Sequence, residues 1–138
     1  MERSAGVEAL MRDWAHAMGK GDVAGIDMLL GTETVRLVGT DEAEWWGPDR
    51  GEVMRIVGAQ LQELAGMSIE LYDLEAYEEG SVGWAAVRPR LTLPDGSSFD
   101  ARLTTVCRKE EGTWRIVQGH FSVGTPNEER FGGELTTA

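Results

Sequence analysis

The stretch WRIVQGHFSVGTP, residues 114–126, decides the fold, because its pairing with the segment before it determines which side chains face the core. It contains His120, one of only two histidines in the 138-residue chain. Apolar residues alternate with polar ones over about 67–77, 82–93 and 98–109, and again over 113–123 within this stretch. These four segments predict an antiparallel meander.

The connection PDG at 94–96 predicts the register of the middle hairpin. A three-residue loop, with glycine in the left-handed position, is a common solution for such a sequence. It pairs Leu91 with Phe99 and makes one face of the sheet almost wholly apolar. A two-residue turn would instead bury Arg88 and Arg90 without partners, which costs several kcal/mol. We therefore predict the three-residue loop.

The sequence EEG at 110–112 has similar turn chemistry, so we predict a second three-residue loop there. This register places Thr105 opposite Val117 on the apolar face and Arg102 opposite His120 on the other. The second face then mixes aromatic, aliphatic and cationic side chains, which is typical of a subunit interface. We predict that the chain forms a homodimer through this face, with five interface residues: Trp84, Arg88, Arg102, Ile116 and His120.

Helices are predicted in the first half of the chain. Val7, Leu10, Met11, Trp14 and Met18 recur at helical spacing, and a short helix over about 23–30 follows. A third helix is predicted over about 50–65, because Asp49 and Glu52 have capping-box spacing. Its residue Gln60 lies in the middle of an apolar stripe, where its amide needs a carbonyl, a water or a ligand as a partner. Helices followed by a meander predict an α+β fold, with the helices on one face of the sheet.

The composition excludes several classes of function. A net charge of −11, from 24 acidic and 13 basic residues, disfavours binding to nucleic acid or to an anionic membrane. No apolar run approaches the ~20 residues that span a bilayer, and no secretory signal is recognisable, so we expect a cytoplasmic protein. One cysteine and two distant histidines predict no metal site, and no phosphate-binding glycine motif is present, so we expect no cofactor.

The segment GTWRIVQGHFS, with DARLTTV before it and a WWG excursion at 45–47, resembles the nuclear transport factor 2-like superfamily. The similarity is greatest to its SnoaL-like branch and to the association domain of calcium/calmodulin-dependent kinase. It implies one domain over 1–125, in which a curved antiparallel sheet wraps around a long helix as a cone with a pocket at its open end. Residues 126–138 form a polar tail that we expect to be loosely held.

The resemblance implies a mostly apolar pocket for a small organic molecule. Where the kinase association domain carries pocket arginines this chain has Thr105 and Phe121, and the inward faces of the last two strands carry no acidic residue. These departures favour a ligand-binding or assembly domain and leave catalysis open. Seven side chains are predicted to line the pocket, with Trp45 as an alternative to Trp46 at its rim: Trp14, Trp46, Gln60, Leu103, Thr105, Val117 and Phe121.

The alternative is a cofactor-independent isomerase, cyclase or epoxide hydrolase-like enzyme that uses acid–base chemistry. Asp41 could be its general base if the polar loop 40–44 folded over the mouth of the cone. His120 and Arg102 would serve instead as a base and an oxyanion-stabilising cation if the sheet register differed by one residue. We interpret the loop carboxylates as solvated surface. A carboxylate or histidine that faces inward would favour the enzyme.

Overall fold

The computed structural model describes all residues from Met1 to Ala138 and confirms the α+β class. Three helices precede a long meander, as predicted, and short strands flank them. The elements are, in chain order, β1 (Glu2–Arg3), α1 (Ala5–Lys20), α2 (Val23–Leu29), β2 (Arg36–Val38), β3 (Trp45–Trp46), α3 (Arg50–Glu63), β4 (Ser68–Glu79), β5 (Val82–Thr92), β6 (Ser98–Asp100), β7 (Arg102–Glu110), β8 (Thr113–Ser122) and α4 (Asn127–Phe131).

The strands form one curved sheet in the order β1-β4-β5-β7-β8-β2-β3, with β6 paired to β5. All pairs are antiparallel except β2 with β8, which is parallel. A β-bulge interrupts β4 between Tyr72 and Glu75, where Asp73 adopts a positive φ of 54°. Because a bulge bends its strand and increases the local twist, it helps the sheet to curve around the helices.

Capping residues set the ends of α1, the helix that lies against β4. The Ser4 hydroxyl accepts a hydrogen bond from the Val7 N–H at 3.0 Å, which satisfies one of the free donors of the first turn. At the other end Gly21 adopts a left-handed conformation with φ 63°, as a C-terminal glycine commonly does. The apolar stripe of α1 buries Val7, Leu10 and Met11 against the sheet.

The predicted start of α3 is confirmed by its cap. The Asp49 carboxylate accepts hydrogen bonds from two N–H groups of the first turn, at 2.8 and 3.2 Å. The neighbouring Arg50 connects α3 to α2: its guanidinium donates to the Asp27 carboxylate at 2.7 Å and to the backbone carbonyl of Gly31 at 2.7 Å. These bonds hold α3 in position above the concave face of the sheet.

The predicted register of the middle hairpin is confirmed. Leu91 pairs with Phe99 and Val87 with Leu103, and the Leu93 N–H closes the loop by donating to a carbonyl at 2.8 Å. Alternate residues of β5 are therefore buried on the concave face, while Arg88 and Arg90 point outward. The argument from unpaired buried charge predicts this correctly.

The predicted three-residue loop at 110–112 is wrong. The turn has two residues, Glu111 and Gly112, both with positive φ (48° and 80°), and Glu110 pairs with Thr113. This is the backbone of a type I′ turn, whose twist matches that of the flanking strands. A β-bulge then shifts the register of β8 by one further residue, between the pairs of Val106 and Cys107.

The two shifts change the predicted partners of β8. Thr104, rather than Arg102, lies opposite His120, and Arg102 lies opposite Ser122. Together the turn and the bulge move the register by two residues. Beyond the bulge, the side chains of β8 therefore point to the faces of the sheet that were predicted for them. His120 therefore points away from the helices and is exposed, as predicted.

Between the turn and the bulge, each side chain of β8 points to the face of the sheet opposite to the predicted one. Ile116 pairs with Cys107 on the concave face and is only 3% exposed, so its predicted place on the outer face is wrong. Val117 lies at the bulge and is half-buried, and its predicted place opposite Thr105 is taken by Gly119. The two-residue turn is the physical reason for the first correction, because it brings Ile116 opposite Cys107, and the bulge is the reason for the second.

The core fills the space between the helices and the concave face. Met11, Val7 and Val53 are fully buried there, and Cys107 joins them as the small buried residue that the sequence predicts. Burial raises the pKa of the Cys107 thiol. In the tail only α4 is helical, and none of its residues is buried. No helix of the chain has both the length and the apolar character needed to cross a bilayer.

Candidate functional site

A cavity of about 430 Å³ opens between the helices and the concave face of the sheet. Twenty-five residues line it, of which 18 are hydrophobic. α1, α2 and α3 form one wall, and β4 to β8 form the other. The hairpin of β2 and β3 contributes the remaining side, with Leu37 and Trp46.

Six of the seven side chains predicted to line a pocket lie on the wall of this cavity. Val117 does not, because the bulge turns it away, and Ile116 lines the cavity in its place. The structure thus brings together residues from α1, β3, α3, β7 and β8 that are far apart in sequence: Trp14, Trp46, Gln60, Leu103, Thr105 and Phe121.

The aromatic side chains of the wall come from four separate elements, α1, β3, β6 and β8. The rings of Trp14 and Phe121 lie 6.4 Å apart with an interplanar angle of 50°. Trp46 faces the cavity, whereas its neighbour Trp45 is 66% exposed with the Arg36 guanidinium 5.3 Å from its ring centroid. The alternation of β3 therefore assigns Trp46, and not Trp45, to the cavity.

Glu44 brings a carboxylate to the cavity wall, where the sequence predicts solvated surface. Its Oε2 accepts a hydrogen bond from Nε2 of Gln60 at 2.7 Å. Its Oε1 accepts from the Asp41 N–H at 2.8 Å and from the Thr40 hydroxyl at 3.3 Å. The partner that Gln60 needs within its apolar stripe is thus the Glu44 carboxylate, delivered by the β2–β3 hairpin.

Thr105 carries the other side-chain hydroxyl of the inner wall. It is 4% exposed, and its Oγ1 lies 3.4 Å from Sδ of Met11 and 3.6 Å from Sγ of Cys107. Sulfur is a weak hydrogen-bond acceptor, so the hydroxyl has no strong partner within the protein. Among the buried residues of the wall, it is the polar side chain whose only partners are sulfur atoms.

The charges on the wall all have one sign. Glu44 and Glu63 line the cavity, and none of the 25 lining residues is an arginine, lysine or histidine. Neither carboxylate takes part in an ion pair. No three histidine, cysteine or acidic side chains lie close enough together to hold a metal ion.

The residues of the predicted catalytic alternative lie outside the cavity. Asp41 is exposed, and its carboxylate accepts a hydrogen bond from the Ala43 N–H at 2.8 Å within its own loop. His120 and Arg102 are exposed on the convex face of the sheet. No base–cation pair therefore reaches the cavity from these three residues.

The convex face carries four of the five predicted interface residues. Trp84 is half-buried and stacks on Tyr77, with 5.0 Å between ring centroids. Arg88 is 74% exposed at its side chain, and Val106 adds an exposed aliphatic group between the strands. Arg102 and His120 complete this mixed surface, whereas Ile116 lies on the opposite side of the sheet.

Residues 7–126 match the model of the SnoaL-like domain, which is 120 residues of the chain. The chain belongs to the SnoaL-like domain family. No curated protein matches this sequence.

Solved structures similar to this SnoaL-like domain share its fold at low sequence identity. A nuclear transport factor 2-like protein of unknown function from Pseudomonas putida KT2440 has a TM-score of 0.80 and 18% identity, with 99% of this chain and 98% of that chain covered. A proposed dehydratase of the nuclear transport factor 2-like family from Streptomyces avermitilis has a TM-score of 0.76 and 18% identity, with 86% of this chain and 94% of that chain covered. A proposed calcium/calmodulin-dependent kinase II association domain from Xanthomonas campestris has a TM-score of 0.68 and 20% identity, covering 90% and 95%.

Proposed function

We propose that this SnoaL-like domain binds a small, mostly apolar organic molecule in its cavity. The observation that carries the proposal is the cavity itself: its volume of about 430 Å³ lies within the range of small-molecule sites, and 18 of its 25 lining residues are hydrophobic. A few polar groups, among them the Glu44–Gln60 pair and the Thr105 hydroxyl, lie on an otherwise apolar wall. This is the composition that such sites use to orient a ligand.

Titration calorimetry with 1-adamantanol, a compact apolar alcohol, tests this proposal. Ile69→Trp places a large ring on the wall of the cavity, since Ile69 lines it and is half-buried. We expect this substitution to weaken binding by about tenfold or more, equivalent to ~1.4 kcal/mol. Ser68→Trp is the matched control, because Ser68 is the preceding residue of β4 and is exposed on the other face. Equal affinities in the two variants would show that the alcohol binds elsewhere.

We also propose that two copies associate through the convex face of the sheet. The convex face combines aromatic, aliphatic and arginine side chains, a mixture that is enriched at protein interfaces. These side chains are Trp84, Val106, Arg88 and Arg102. Sedimentation velocity tests the proposal with Arg102→Glu, which should shift a dimer toward monomer. Arg55→Glu, the same charge change on an exposed position of α3, is the control and should leave the dimer intact. A monomeric wild-type protein would refute the proposal.

A second candidate function is proton transfer within an apolar substrate, and the inward carboxylate of Glu44 is the observation that favours it. Glu44 would take a proton from a carbon beside a carbonyl and return it to the same or a neighbouring carbon, so that no co-reactant is needed. Exchange of the C1 protons of 2-tetralone in heavy water, followed by proton NMR, tests this function. Acceleration by the protein that is lost in Glu44→Gln supports catalysis, and no acceleration leaves binding as the function.

A further inference from the structure

We propose that the cavity selects a lipophilic cation, that is, an apolar molecule that carries a protonated amine. This inference rests on the proposed binding function, because it specifies the ligand of the same cavity. It follows from the charge of the wall, from the geometry of Glu44 and from the position of the aromatic rings. Each of these three observations favours a positive charge on the ligand over a neutral or negative one.

The first observation is that the wall has negative charge without any compensating positive charge. Glu44, which is half-buried, and Glu63, which is exposed, are the ionisable residues among the 25 that line the cavity, and neither forms an ion pair with another residue. The whole chain has a net charge of −11. A cleft with apolar walls and charges of one sign concentrates ligands of the opposite sign and repels those of the same sign.

The second observation is that the Glu44 carboxylate is held in place but not saturated. All three of its donors are neutral: the Thr40 hydroxyl, the Asp41 N–H and the Gln60 amide. Because a carboxylate offers about four lone-pair sites, it can accept one further hydrogen bond from a ligand. The Gln60 amide, at 2.7 Å from Oε2, fixes the side chain so that this site stays at the wall of the cavity.

The third observation is the set of aromatic rings that share the cavity with Glu44. Trp14, Trp46 and Phe121 all line it. The faces of such rings carry partial negative charge and attract ammonium groups within about 6 Å, with tryptophan the most effective. An ammonium group on an apolar body would therefore find a carboxylate, π faces and hydrophobic contacts within one cavity.

Three ligands with the same apolar body and different head groups test the selectivity: adamantan-1-amine, 1-adamantanol and adamantane-1-carboxylate. Each is titrated calorimetrically at pH 7, where the amine is protonated and the acid is ionised. A hydrogen bond to a charged donor is about twice as strong as a neutral one, so we expect the amine to bind about tenfold more tightly than the alcohol. The carboxylate should bind most weakly, and added salt should reduce the preference for the amine.

Glu44→Gln identifies the residue responsible. Glutamine keeps the size of the side chain and an acceptor oxygen for the loop, so the variant should fold normally, which its thermal midpoint verifies. We expect the amine-to-alcohol preference to fall to about one. Glu42→Gln is the matched control: Glu42 belongs to the same loop, is exposed and does not line the cavity, yet its substitution changes the net charge equally.

The outcomes separate this inference from the proposed function. Binding of the alcohol with equal or weaker binding of the amine would overturn the selectivity and leave the apolar cavity as a binding site. A preference for the amine that persists in Glu44→Gln, or that disappears equally in Glu42→Gln, would also overturn it. Failure of all three ligands to bind would refute the proposed function itself, and the inference with it.

Discussion

Replacing Thr105 with valine should stabilise the protein, although threonine lies in the middle of a well-formed strand. The Thr105 hydroxyl is almost fully buried, and its nearest partners are the sulfur atoms of Met11 and Cys107, at 3.4 and 3.6 Å. Burying a hydroxyl without a good hydrogen bond costs about 1–3 kcal/mol. Valine has nearly the same shape and lacks this cost. Allowing for the weak bond to sulfur, we expect the free energy of unfolding to rise by about 1 kcal/mol.

Urea denaturation of the ligand-free protein measures this change. With a denaturant slope of about 2 kcal/mol per molar, a gain of ~1 kcal/mol raises the urea midpoint by about 0.5 M and leaves the slope unchanged. Thr104→Val is the matched control. Thr104 is the preceding residue of β7 but is exposed on the convex face opposite His120, so its hydroxyl can bond to water. Its substitution should change stability by no more than about 0.5 kcal/mol.

A loss of 1 kcal/mol or more in Thr105→Val would refute this reasoning, since it would mean that the hydroxyl has a strong partner. The same variant also reports on function. If the hydroxyl contacts a bound ligand, Thr105→Val will raise stability and weaken binding together. Stability would then have been given up at this position for recognition, as often happens at functional sites.

Three further predictions concern the frame around the cavity. The pKa of the Cys107 thiol is higher in the folded than in the unfolded protein, so its contribution to stability is fully present below the unfolded pKa and is lost as pH rises through the folded pKa. Cys107→Ala should therefore make the urea midpoint fall less steeply between pH 7 and 10. Gly83→Ala should cost about 2 kcal/mol, because its Cβ would lie 2.8 Å from the Tyr77 carbonyl oxygen, whereas Gly133→Ala, with open space around it, should be neutral. Arg50→Met should cost about 2 kcal/mol in urea unfolding by leaving the Asp27 carboxylate and the Gly31 carbonyl without this donor, and an unchanged midpoint would contradict this.

The sheet shows how far turn chemistry predicts register. At 94–96 a second argument, the cost of burying Arg88 and Arg90, excluded the shorter turn, and the predicted pairing is confirmed. At 110–112 the same cost favours the shorter turn, because a three-residue loop would turn Arg115 inward opposite Cys107; in the two-residue turn that forms, Arg115 pairs with Arg108 instead. Turn sequences alone therefore do not determine register. Burial determines it where a wrong pairing would place a charge in the core.

The bulge in β8 could not be predicted from strict alternation, although its trace is present in the sequence. The inward residues of β8 are Trp114, Ile116, Gly119 and Phe121, with spacings of two, three and two. Strict alternation, counted backward from Phe121, assigns Trp114 and Ile116 to the convex face. That face then has more apolar side chains than a solvent-exposed face usually carries. This excess was interpreted as a subunit interface. Part of the apparent excess of apolar residues arose instead because the bulge adds one residue to β8 and reverses the alternation on one side of it.

Glu44 shows why the polar part of the site was missed. A loop of acidic residues is most often solvated surface, and Asp41 and Glu42 do lie there. What distinguishes Glu44 is that it immediately precedes the two-residue strand β3, whose pairing with β2 carries the hairpin across the cavity. The sequence did contain the other half of this contact, because Gln60 lies in an apolar stripe and requires a partner. An unmatched polar residue on a helix is thus a reason to search the neighbouring loops for the acid or amide that satisfies it.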